Sequence, residues 1–206
     1  MRPSFTKGIS RRLMLSLGIL GTVGAVAGLG TYAQFTDSTS ATHSVSTGTV
    51  DINIDSAGAT NRFSESSTLV AAGDTIQRAI DLKLAGTLDL SGVTLASSAP
   101  TTSSALDTDT ANGLQLTVQE CTDPWTEAGS TSARTYTCGG TTTTARAAGP
   151  VIQSATALNL SSVAPGDKHL MFKWTLPTGA TQATHGGKTS VINYDFVGTQ
   201  RAATNK

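Results

Sequence analysis

The chain has 206 residues carrying 14 Lys and Arg against 14 Asp and Glu. The balance leaves nucleic-acid binding without electrostatic support, since that function needs basic side chains collected against phosphates. The length suffices for one domain with a real hydrophobic core.

Four of the basic residues, Arg2, Lys7, Arg11 and Arg12, lie in the first dozen positions, and the next charge of any kind is Asp37. Leu13 to Gly30 is uncharged, and Thr31-Tyr32-Ala33 places small residues at positions −3 and −1 of a signal-peptidase cut between Ala33 and Gln34. The expectation is a signal helix over 1–33 and a secreted, extracellular or cell-surface protein. Two alternatives stay open. The segment is long enough, at about 1.5 Å per residue, to be kept as a membrane anchor, and Ser10-Arg11-Arg12-Leu13 resembles a twin-arginine export signal. Without residues 1–33 the chain keeps ten basic and 14 acidic residues, so the exported part is mildly acidic.

Beyond the leader the pattern is alternation of period two, the signature of strands with one buried face. Val50, Ile52 and Ile54 alternate with Asp51 and Asn53; Ile76, Ile80, Leu82 and Leu84 share a parity opposite to Gln77, Asp81 and Lys83. Leu88 and Leu90 keep that phase while Val93 and Leu95 lose it across Ser91-Gly92, which predicts a bulge or bend in one long strand. Leu114, Leu116 and Val118 lead to Cys121; Ala157 to Leu160, then Leu170, Phe172, Trp174 and Leu176, then Ile192, Tyr194 and Phe196 complete the set. So many strands predict an all-β fold of two packed sheets, a β-sandwich. The Ser/Thr/Ala/Gly-rich stretches 96–112, 139–149 and 178–189 read as loops, with one short helix around Ser104 to Asn112. Gly73-Asp74 and Gly166-Asp167 each precede a strand and read as equivalent corners.

The two cysteines, Cys121 and Cys138, fall in the exported part, where a disulfide is the default. It closes a loop of about 18 residues, worth roughly 3 kcal/mol in the chain-entropy account. Free thiols or a pair of metal ligands are the poorer alternatives. Trp125 and Tyr136 lie inside that ring, as exposed aromatic candidates for a sugar or partner or as packing beneath the loop. His43, His169 and His185 are isolated, with no H-E-x-x-H, no G-x-S-x-G and no phosphate loop, and Asp37, Asp51 and Asp55 lack calcium-loop spacing. No catalytic, cofactor or metal residue is therefore assigned.

Gly30-Thr31-Tyr32-Ala33 followed by Gln34-Phe35-Thr36-Asp37 and then Gly48-Thr49-Val50-Asp51-Ile52 resembles the opening of the TasA and camelysin family. Val163-Ala164-Pro165-Gly166-Asp167 is similar to that family's Pro-Gly-Asp turn, and Tyr194 to Gln200 to its last strand; Ala72 stands where the first such turn usually has Pro. The resemblance implies a jelly-roll-like sandwich, processing by a SipW-type signal peptidase, and a biofilm-matrix or surface protein that forms fibres. In such fibres the mature N-terminus is a donor strand for the next subunit. Here that is Gln34 to Ser46, anchored by Phe35, ahead of a sandwich over 47–206. The implied partner is a second copy in a head-to-tail polymer, or a related matrix subunit. A 34–46 segment that is a floppy leader or pairs within its own subunit, a monomeric adhesin acting through the Cys121 to Cys138 loop, and a camelysin-like metallopeptidase are the competing readings.

Overall fold

The alternating segments become strands because each can bury one row of side chains while its backbone bonds to neighbours. The computed structural model describes residues 47, 49–54, 62–63, 66–67, 69–131 and 133–204. The signal segment, the cut between Ala33 and Gln34, the 34–46 segment with Phe35, and His43 and Asp55 lie outside these residues.

In chain order the elements are β1 (Val50–Ile54), β2 (Thr75–Gly86), β3 (Leu90–Thr102), the one-turn helix α1 (Ala105–Thr108), β4 (Gln115–Cys121), β5 (Thr126–Ser130), β6 (Ala133–Thr137), β7 (Thr142–Pro150), β8 (Gln153–Ala157), β9 (Gly166–Thr175), the single turn α2 (Gln182–His185) and β10 (Val191–Gln200). Five strands in the order β1-β2-β9-β4-β7 make one sheet, and β10-β3-β8 make a second. Every strand pair is antiparallel. Ile80, Leu82, Leu116, Val118, Leu170 and Phe172 from the first sheet meet Leu90, Val93 and Leu95 from the second in one core, with Ile192, Tyr194 and Phe196 of β10 packed against it. The all-β two-sheet expectation is met.

The single long strand is not. The chain leaves the first sheet at Gly86 and enters the second at Leu90, so the run expected to continue through Leu88 is two strands in different sheets. Gly86 makes the exit possible: its φ is +142°, and a Cβ there would lie 2.5 Å from the Thr49 carbonyl oxygen. The phase change at Ser91-Gly92 is nonetheless real. Leu90 pairs with Gln200 and Gly92 with Thr199, a bulge that restores Val93 and Leu95 to the core side.

Two of the expected loops are also strands. β3 continues to Thr102 through the stretch 96–102, and β7 occupies most of 139–149. Both are rich in Thr, Ser and Ala, whose pairing is decided by a neighbouring strand rather than by a hydrophobic row. The segment at Ala157 to Leu160 ends a strand instead of starting one. Leu158 reaches the core from outside β8, its N–H bonded to the Val93 carbonyl. The two Gly-Asp corners stand at opposite ends of the antiparallel β2–β9 pair, with positive φ at Gly73 and Gly166.

Phe172 is fully buried and touches Phe63, Trp174, Tyr194 and Phe196 with ring centroids 4.7 to 6.2 Å apart. Phe172→Ala is expected to destabilise the domain by about 3–5 kcal/mol, measured as a lower urea midpoint with an unchanged slope.

Candidate functional site

The disulfide Cys121–Cys138 forms as expected. The ring it closes is a hairpin, β5 with β6, where the sequence pattern predicts a loop. β6 lies against β2, and beneath the hairpin the outward row of the large sheet, including Ala79, Asp81 and Met171, is buried as well as the inward one. Glu127 on β5 accepts from Arg62 Nε and Nη2, Arg134 Nη1 and Tyr136 Oη at 2.6 to 2.9 Å. Hydrogen bonds led by Arg62 hold this carboxylate below its usual pKa. Burial, followed by the bond to Glu127, pushes the Tyr136 phenol up to about 12. Trp125 Nε1 donates to the His169 carbonyl at 2.9 Å. Trp125 and Tyr136, read as exposed aromatic candidates or as packing beneath the loop, are half-buried with their polar tips engaged. They fasten the hairpin to the sheet.

A different feature has the form of a binding site. β1 pairs with Leu82 to Gly86, and among the described residues no strand lies beside the Thr75 to Asp81 half of β2 on that side, where the Arg62 N–H donates to the Ala79 carbonyl. A cleft of about 510 Å³ opens there between the sheets, within the range of about 300–1,000 Å³ typical of ligand sites. Trp174, Tyr194 and Phe63 are its aromatic lining, Ile76, Leu106 and Ile192 its aliphatic one. Trp174 Nε1 donates to Tyr194 Oη at 2.6 Å, which occupies both polar tips. Burial holds the Tyr194 phenol well above its usual value.

Among the described residues, the ionisable side chains that line the cleft are Arg78, Lys188, His185 and Tyr194. Arg78 has the same parity as Ile76 and Ile80, so its side chain enters from the core side of β2, 3% exposed. Its guanidinium donates to the Gln77 carbonyl and Ser67 Oγ. Lys188 is exposed. His185 Nδ1 accepts from the Thr181 N–H, which leaves the proton of the neutral ring on Nε2, 3.4 Å from Asp109 Oδ2. Two carboxylates stand behind this wall. Asp109 is held below its usual pKa by the N–H groups of Asn112 and Ala111. Asp107 accepts from Ser103 Oγ, Ser190 Oγ and the Ser104 N–H, the last as part of the capping box of α1. Burial alone would raise Asp107; these donors outweigh it and leave its pKa below the ordinary 3.8. The signal for the cleft was legible as a charged residue, Arg78, on the apolar parity of a strand. The Lys188 loop carried none.

The sequence profile of a family described as camelysin metallo-endopeptidase matches residues 10–123, more than half of the chain. The chain belongs to this family. The matched stretch runs through β4 and takes in Arg78 and Leu106, while Trp174, Lys188 and Tyr194 lie beyond it. No curated protein matches the chain. At the level of the family this is a protein of the cell surface or matrix, and the disulfide is compatible with that location.

The family's name raises the question of a metal. A catalytic zinc takes three protein ligands and an open position. Among the described residues no three His, Cys, Asp or Glu side chains form a metal-binding group. His169 has a single carboxylate at hand, Asp81, 2.6 Å from Nδ1, and His185 has Asp109. This donor set does not fit such an ion.

Asp107 contributes stability in its ionised form, full above its ordinary value and lost as pH falls through its lower folded value. Asp107→Asn is therefore expected to lower Tm at neutral pH, with the gap to wild type closing as pH drops below 3.8. A thermal-melt series from pH 7 to pH 2 checks this. In a spectrophotometric alkaline titration, Tyr136 should remain protonated past pH 11 and ionise near 12, while Glu127→Gln brings it down.

Proposed function

We propose that the protein is exported and acts as a structural subunit of the cell surface or extracellular matrix. In this reading it assembles head to tail by donating residues 34–46 to an open sheet edge of the next copy. The observation that carries the reading is the edge of β10. A three-stranded sheet faces a five-stranded one, and among the described residues β10 has a strand neighbour, β3, on one side only. An unpaired edge presents a row of N–H and C=O groups to any strand that can reach it.

The other edges are poorer templates. β1 and β8 are five residues each, and β7 is interrupted by two register shifts, with its Ala145 carbonyl taken by the Asn159 N–H. β10 pairs regularly with β3 from Asn193 to Thr199. On its outward face Val191 and Val197 are 46% and 56% exposed, apolar surface with no cover among the described residues. A contact between one end of a subunit and a different patch of the next does not close on itself and propagates into a filament.

The family's description favours a second reading, metallo-endopeptidase activity. Cleavage of a protein substrate that is lost with chelator and restored by zinc would establish it.

For strand donation, the decisive comparison is electron microscopy of residues 34–206 beside 47–206 at rising concentration. Filaments are expected from the first and none from the second. Two equally monodisperse monomers would remove self-assembly.

A further inference from the structure

Residues 34–46, Gln-Phe-Thr-Asp-Ser-Thr-Ser-Ala-Thr-His-Ser-Val-Ser, carry a pattern of period two. Every apolar side chain, Phe35, Ala41 and Val45, falls at an odd position, with Asp37 and His43; every even position is Gln, Ser or Thr. Laid out as a strand, the segment has one small polar face and one face that begins with an aromatic and an acid. From Phe35 to Val45 it spans about 34 Å at roughly 3.4 Å per residue, which matches the ten residues of β10. Phe35 and Asp37 point the same way, about 7 Å apart.

We infer that the cleft at the start of β10 is the seat for the first residues of this segment from a second copy, with Phe35 on the Trp174 and Tyr194 floor and Asp37 against Lys188. The inference rests on the strand-donation reading and adds where the donor begins and what recognises it. Ile192 and Tyr194 belong both to β10 and to the cleft lining, so a strand on that edge passes over the cleft. With Phe35 at that end and Val45 at the far end, the donor runs parallel to β10.

Three features fit the occupant. The floor is aromatic, and a further ring packs edge-to-face or offset on Trp174 and Tyr194. Lys188, exposed on the cleft's lining, is a cation on an exported chain with more acids than bases, so an anion arriving with the ring meets complementary charge. Leu69, on the rim, is 98% exposed in a left-handed backbone of φ +59°, an apolar side chain set out toward solvent beside an apolar cleft.

The test uses the full chain, exported and purified from the medium, with filament formation followed by light scattering and electron microscopy. Phe35→Ala is expected to raise the concentration needed for filaments at least tenfold, as for the loss of a buried aromatic anchor. Asp37→Lys and Lys188→Glu, each with an unchanged Tm, should raise it about three- to fivefold, and the double variant should return it close to wild type. If filaments depend on residues 34–46 but ignore both charge reversals and their combination, strand donation stands and this seat is overturned. If the wild type forms no filaments, the polymer fails, and the seat is then decided by calorimetric titration of a free 34–46 peptide into the Phe35→Ala protein. Binding that Lys188→Glu abolishes sustains the seat; absence of binding overturns it.

Discussion

The two sheets are held together where β9 meets β10. Trp174 and Phe172 point inward from the large sheet, Tyr194 and Phe196 from the small one, and the Trp174 indole N–H donates to the Tyr194 hydroxyl across the gap. An aromatic pair in edge or offset geometry contributes about 0.5–1.5 kcal/mol beyond its burial. The larger effect is positional. The indole N–H is satisfied by the hydroxyl oxygen at the mouth of the core, which ends there in an aromatic floor instead of a closed wall. The cleft, its accessibility from the β10 edge and the bond between the sheets are consequences of that one contact.

The charged side chains that occupy inward positions obey the same constraint. Glu120 follows Leu116 and Val118 on the core parity of β4, and its carboxylate accepts from the Ser161 N–H and hydroxyl. Arg146 donates to the Leu116 and Pro150 carbonyls, with burial lowering its pKa. Arg78 is bound to a carbonyl and a hydroxyl at the cleft. A charge brought out of water is tolerated only when hydrogen bonds replace its hydration. Glu120 and Arg146 meet that need with groups 41 and 30 positions away, Arg78 with its neighbour Gln77 and with Ser67. On the opposite side of the large sheet, the disulfide and the Glu127 cluster hold the hairpin down as a cover.

Alternation carried most of the architecture into view. The runs at Val50, Ile76, Leu114, Leu170 and Ile192 each place a strand with the right face inward, because a buried face demands a strict parity whatever its neighbour is. The bulge at Ser91 was visible for the same reason, as a slip in that parity. The continuation of β3 to Thr102 and the whole of β7 were not. Their side chains are small or polar, and only the bonds to adjacent strands distinguish them from loop. The hairpin inside the disulfide escaped notice on the same ground.

By itself the sequence determined that this is a two-sheet β fold with a stapled ring, since these follow from periodicity and cysteine count along the chain. Tertiary structure decided which edge remains open and which side chains meet at the cleft. Arg78, Trp174, Lys188 and Tyr194 are separated by up to 116 positions and come from two strands of one sheet, a loop and a strand of the other. Their convergence depends on strand order and on β1 stopping short of Thr75, and neither leaves a local mark, because backbone pairing is blind to the side chains that it brings together.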